Sequence, residues 1–228
     1  MRARPWEYAP RVSKSTGRTL VAALAVALAL ATGCSRAVEG HPVAGASLKG
    51  PDASQCTKVD APMTTVPAAP GAPDDSEPEL RVPQPEGWDR ITELDSAMIR
   101  FTMGNKSLGV DNFAASAVVT IESHPGELDA DEFFDEAREA LASTFDTGDV
   151  DYTDDTICGL PSQIMQYVIP KMAGVPEPIS ATALMVVVFT GGKTYGAVLT
   201  IQSPLPDEPD YERDAETILT GFQVLAPN

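Results

Sequence analysis

Few side chains in this 228-residue chain could carry catalytic or metal chemistry: two histidines, three cysteines and a large excess of carboxylates. A Ser-His-Asp or Cys-His arrangement needs a histidine within hydrogen-bond reach of its nucleophile. His41 lies outside any apolar pattern, His124 is followed by Pro125, and no G-x-S-x-G elbow is present. His124 therefore reads as a surface residue at a strand end. Gly192-Lys193-Thr194 resembles the end of a phosphate-binding loop, but Val187 stands where its first glycine is required. A strand also follows, where the phosphate needs a helix N-terminus. Asp146, Asp149, Asp151, Asp154 and Asp155 invite a calcium reading. Counted from Asp149, an EF-hand would need Gly and Glu where Asp154 and Leu160 stand, so that pattern fails. A solvated acidic loop is the better reading, with an irregular calcium site second. No catalytic residue, metal or cofactor is expected, and the chain does not read as an enzyme.

Charge narrows the partners. Sixteen Lys and Arg stand against 33 Asp and Glu, a net −17 at pH 7. Phosphate backbones need a basic face, so nucleic acid is excluded. The cations crowd into the first 19 residues, which hold Arg2, Arg4, Arg11, Lys14 and Arg18 against Glu7. An apolar run, Leu20 to Ala31, follows and ends in Thr32-Gly33-Cys34. Twelve residues do not span a bilayer, which needs about 20. A basic head, a short apolar stretch and small residues before a cysteine make a secretory signal with a lipobox. Leu30 sits one place early for the usual lipobox, and Ala31 takes its position. The expectation is cleavage before Cys34 and acylation of that cysteine. The mature protein would be exported and lipid-anchored to the outer face of the cell membrane. Anionic lipids repel so acidic a body, which leaves the acyl chains as its only hold on the bilayer.

With Cys34 acylated, Cys56 and Cys158 remain. An even pair in an oxidising compartment is most simply a disulfide. The bridge would close 102 residues, worth up to ~4.7 kcal/mol in the chain-entropy model. It would leave Cys34 to Cys56 as a free tether, with a reach of about 25–28 Å if flexible.

The elements that must position these residues divide the chain in three. Residues 1–33 are the signal and 34–78 a lipidated N-terminus and Pro-rich linker; 79–228 form an α/β domain. Pro62, Pro67, Pro70, Pro73, Pro78, Pro83 and Pro85 exclude helix from the linker. Alternation predicts strands at 79–82, 97–103, 113–123 and 162–169. Residues 181–190 and 195–202 flank Gly191-Gly192 as a hairpin whose first strand is central. Asp129, with Glu132 three residues on, opens a helix to Phe145, and residues 210–220 form a second, ended by Gly221. Residues 222–225 add a last strand. The order implies an α+β fold, a mainly antiparallel sheet with helices packed on it. Trp88, at a Gly-Trp corner, either floors a ligand groove or packs under the sheet edge; packing is the stronger reading.

Leu80-Arg81-Val82-Pro83, Pro85-Glu86-Gly87-Trp88, Gly159-Leu160-Pro161 and the Cys34 lipobox with its Pro-rich linker together resemble the mycobacterial LpqN/LpqT lipoprotein family. The resemblance covers roughly residues 79–225 in element order. It implies a PsbP-like α/β sandwich, an envelope-anchored non-catalytic protein and, as in some relatives, a link to glycolipid traffic. It brings no catalytic residues. Two functions follow: an accessory module binding envelope proteins, or a carrier for an envelope lipid or glycolipid. In the carrier, Phe133, Phe134, Phe145 and Met165 would line an apolar cleft between helix and sheet.

Overall fold

A computed structural model describes residues 51–69, 75–111, 113–145, 150–171 and 178–227. Cys34 and the signal lie outside the described residues, as do Asp146 and Asp149. Ten strands and two α-helices are present among them. They are β1 (Met63–Thr65), β2 (Glu79–Pro83), β3 (Asp89–Ile91), β4 (Ile99–Val110), β5 (Phe113–Pro125), α1 (Ala130–Phe145), β6 (Asp151–Ile157), β7 (Leu160–Ile169), β8 (Ile179–Thr190), β9 (Lys193–Ser203), α2 (Pro209–Thr220) and β10 (Gln223–Leu225).

Seven strands form one sheet in the order β3-β4-β5-β9-β8-β7-β6, and three form a second, β1-β2-β10. All their strand pairings are antiparallel. The fold is α+β, mainly antiparallel, as the element pattern implies. Hairpins explain the order, because three two-residue connections join neighbours directly. Gly191 (φ 58°) and Gly192 (φ 80°) both occupy the left-handed region, the turn that matches strand twist. The Gly192-Lys193-Thr194 motif is thus a hairpin corner. Cys158 (φ 52°) and Gly159 (φ 79°) make the same kind of turn between β6 and β7.

Strand alternation sends successive side chains of β8 to opposite faces, each of them buried. Leu184, Val186 and Val188 join a core with Phe101, Met103, Leu199, Ile201, Trp88, Val82, Ile218 and Phe222. That core lies beneath α2 and the small sheet. Ala183, Met185 and Val187 face the other way, against Phe133 and Phe134 of α1. The continuous apolar run of β8 follows from burial on both faces.

Asp129 caps α1, its carboxylate accepting the N–H of Asp131 at 2.9 Å. Pro209 opens α2, and the backbone N–H of Gly221 closes it on the Thr217 carbonyl. A side chain at Gly221 would meet Val59 and Pro83 within 2.6 Å, so glycine there permits a close approach. Trp88 is buried packing, and its indole N–H donates to the buried Asp214 carboxylate of α2 at 2.9 Å. Asp214→Ala would leave that donor buried and unpaired, at a cost of about 1–3 kcal/mol. Trp88 is the only tryptophan beyond Trp6, so its emission maximum reports the change directly in a variant made without residues 1–33.

Three differences from the sequence reading stand out. Residues 51–69, read as linker, are tied to the domain. β1 pairs with β2 and a 3-10 turn spans Ala53–Gln55, beyond the tie through the Cys56–Cys158 disulfide that the cysteine count leads one to expect. β4 continues seven residues beyond Met103, across a bulge between Asn105 and Val110. Residues 151–156, read as the end of an acidic loop, lie in β6, the outermost strand of the large sheet. β6 is exposed on both faces, so no apolar alternation marks it. Its β-forming Tyr152, Thr153, Thr156 and Ile157 were the available signal.

Candidate functional site

The four residues expected to line a cleft do not come together as one. Phe133, Phe134 and Met165 are 4%, 3% and 1% exposed and pack with Val150, Ala183, Met185 and Val187. Gly196 of β9 makes room for Phe133, whose ring would lie 2.5 Å from any side chain placed there. The contact of α1 with the sheet is therefore filled at Phe133, Phe134 and Met165, where the carrier reading would place its cleft. The helical spacing of apolar residues marks a buried face, and it reads alike whether that face meets a ligand or a sheet.

Phe145 behaves differently. About three turns past the buried Phe134 of α1, it stacks on Tyr167 of β7, with ring centroids 5.5 Å apart and planes 22° apart. The two rings border an open cleft of about 690 Å³ at one end of the large sheet. Tyr211 at the start of α2, Gln166, Ser180 and Thr182 complete its principal lining. The flat Ala181 and Ala183 of β8 separate Tyr167 from β9. Across them the Tyr167 phenol reaches a hydrogen bond with Thr200. Burial pushes Tyr167 above its ordinary value, partly opposed by that bond, and pushes Tyr211 up to about 12.

Tyr211 yields a test at high pH. Its neutral form is favoured in the folded state, whereas the unfolded phenol ionises near pH 10. The contribution is complete below pH 10 and is lost as pH rises towards 12, about 2–3 kcal/mol in all. Tyr211→Phe removes this term. Urea midpoints at pH 9 and 11 should converge in the variant relative to the wild type.

Aromatic faces beside amide and hydroxyl groups suit an amphipathic ligand. Among the described residues that line the cleft, no nucleophile and base are in hydrogen-bond contact. His124 lies edge-on to Phe133, with ring centroids 5.5 Å apart, as a packing partner of α1. Among the described aspartates, Asp151 and Asp155 project to one side of β6 and Asp154 to the other. Among the described residues, no group of three or more His, Cys, Asp or Glu is arranged to hold a metal.

A smaller recess of about 280 Å³ lies between α1 and the sheet end formed by β6 and β7. Arg138 of α1 lies over the Tyr152 ring at 4.1 Å and donates to the Gln163 carbonyl oxygen at 2.5 Å and to the Asp135 carboxylate. The Gln163 amide in turn donates to Asp154 at 2.9 Å. Tyr167, Tyr211, Gln163 and Arg138 carried no sequence signal, because each sits in an element whose pattern is explained by packing alone.

The fold has a solved counterpart. LpqN, described as involved in cell envelope biogenesis of Mycobacterium tuberculosis, superposes with a TM-score of 0.56 at 15% identity, covering 73% of this chain and 93% of its own. Cyanobacterial PsbP (CyanoP) from Synechocystis sp. PCC 6803 gives a TM-score of 0.41 at 15% identity, over 74% of this chain and 96% of its own. No protein-family model and no curated protein matches the sequence. The likeness to LpqN is one of fold: a mainly antiparallel sheet with two helices.

Proposed function

We propose that this chain is a non-catalytic accessory protein of the cell envelope, anchored through an acylated Cys34 and working by binding other envelope proteins at its surface. The observation that carries the reading is the filled contact between α1 and the sheet, where Phe133, Phe134 and Met165 take up the space an acyl chain would need between them. The fold of LpqN and the secretory pattern before Cys34 support the envelope setting. No helix of the described residues is long and apolar enough to cross a membrane, so the reading rests the anchor on Cys34.

The test is cross-linking in intact cells, followed by mass spectrometry of the purified complexes. Defined protein partners are the expected result. Turnover in an esterase, glycosidase and phosphatase screen, lost in His124→Ala, would overturn the non-catalytic reading. For the anchor, Cys34→Ala should release the protein from membranes or block its processing. Processed protein retained on membranes in that variant would count against acylation.

A second reading, binding of an envelope lipid or glycolipid, is supported by the aromatic lining of the 690 Å³ cleft. A lipid adduct that survives purification and is lost in Tyr167→Ala would move the weight to it.

A further inference from the structure

The two ends of the large sheet differ. At one end, β3 is three residues long, and the Arg90 guanidinium donates to the backbone carbonyls of Ile91 and Thr102 beside it. Such a short edge, overlaid by a charged side chain, is poorly suited to pairing with another strand. At the other end, β6 runs for seven residues in unbroken register with β7, from Asp151 opposite Gln166 to Ile157 opposite Leu160. It contains no proline, no bulge and no lysine, and its first six residues are exposed. Among the described residues no strand pairs with its outer side. Half of its backbone N–H and C=O groups point away from β7, which is the template for strand addition.

The charges select what would add. Asp151 and Asp155 flank this edge on one face and Asp154 on the other, and Asp131 and Asp135 of α1 adjoin Asp154 across the small recess. Arg138 is the cation of that recess, and it is already engaged by Asp135 and Gln163. A second copy of the chain would set aspartates opposite aspartates, which is destabilising in a sheet. An extended segment alternating Lys or Arg with β-branched residues would set its cations on one face, beside Asp151 and Asp155 or, shifted by one residue, beside Asp154, while its backbone completes the ladder.

We infer that β6 is a docking edge for a basic, extended segment of a partner protein, which adds to the sheet as an eighth strand. This rests on the reading of the protein as an interaction module and specifies its surface.

The probe is a seven-residue peptide alternating Lys with Val or Thr, titrated onto the full chain in detergent at low salt. Its control alternates Lys with Pro, which keeps the charge and removes ladder donors. The expected results are affinity about tenfold or more above the control and slowed amide exchange in residues 151–157. Exchanging Asp151, Asp154 and Asp155 for Asn together should weaken the first peptide by a similar factor, with the melting temperature unchanged. Equal affinity for both peptides, protection elsewhere, or no binding would overturn the inference. Cross-linked partners that persist in the triple variant would likewise remove the docking edge, while the interaction reading stands. Absence of any cross-linked protein partner would fall on that reading instead.

Discussion

Phe134→Ala should destabilise the domain by about 3–5 kcal/mol, without removing any bound ligand. The ring is 3% exposed and packed among Met165, Ala183, Met185 and Val187, on a sheet that cannot collapse to fill the space. The loss corresponds to a fall in melting temperature of about 6–20 °C for a domain of this size. Phe134→Trp is the complementary change, where added volume should cost about 1–3 kcal/mol. If either variant instead keeps its melting temperature and loses co-purified lipid, the helix–sheet contact is a ligand cleft after all. Differential scanning calorimetry and mass spectrometry of the same preparation decide between the two.

Cys158→Ser should cost about 2–4 kcal/mol, below the ~4.7 kcal/mol of the chain-entropy limit. The bridge joins the 51–69 segment to the β6–β7 turn, and the Asp52 N–H also donates to the Cys158 carbonyl at 3.0 Å. β1 remains paired with β2 when the bridge is cut, so the segment stays partly ordered and the full entropic term is not released. Cys56→Ser serves as control. Cys158 is 2% exposed while Cys56 is half-buried, so the Cys158 variant should lose more by burying a hydroxyl. Equal stability of both variants and the wild type in urea would show that the bridge contributes nothing.

The antiparallel α+β fold was legible because its central elements obey simple periods. β5, β8 and β9 alternate or run apolar, α1 repeats at helical spacing behind a capping aspartate, and Gly191-Gly192 marks a hairpin. β1, β3 and β6 were missed for one shared reason. They are short or exposed, so side-chain burial leaves no stripe in them, and their partners alone define them as strands. β4 was truncated because its alternation was followed only to Met103, whereas β5 holds Gly104 and Asn105 in the ladder up to a bulge. The site was less legible than the fold. Phe133, Phe134 and Phe145 share one helical stripe, yet the first two meet β8 and β9 while the third reaches past the end of that contact to Tyr167. Where a helix overhangs its sheet is a tertiary fact, and no local pattern records it.

The small sheet has a consequence for the order in which the molecule can be made. β2 lies between β1, the first strand of the domain, and β10, its last, whose Val224 sits opposite Leu80. A chain emerging from its N-terminus therefore carries β2 with one side unpaired until the final residues are released. Contacts this distant in sequence slow folding and leave an open edge during the delay. A nascent chain stopped short of Gln223 would hold α2 and every strand of the large sheet, yet leave Glu79 to Arg81 of β2 without the strand that pairs with them. Premature termination there should yield an aggregating product, and quality control acting on this protein would meet the defect at its very end.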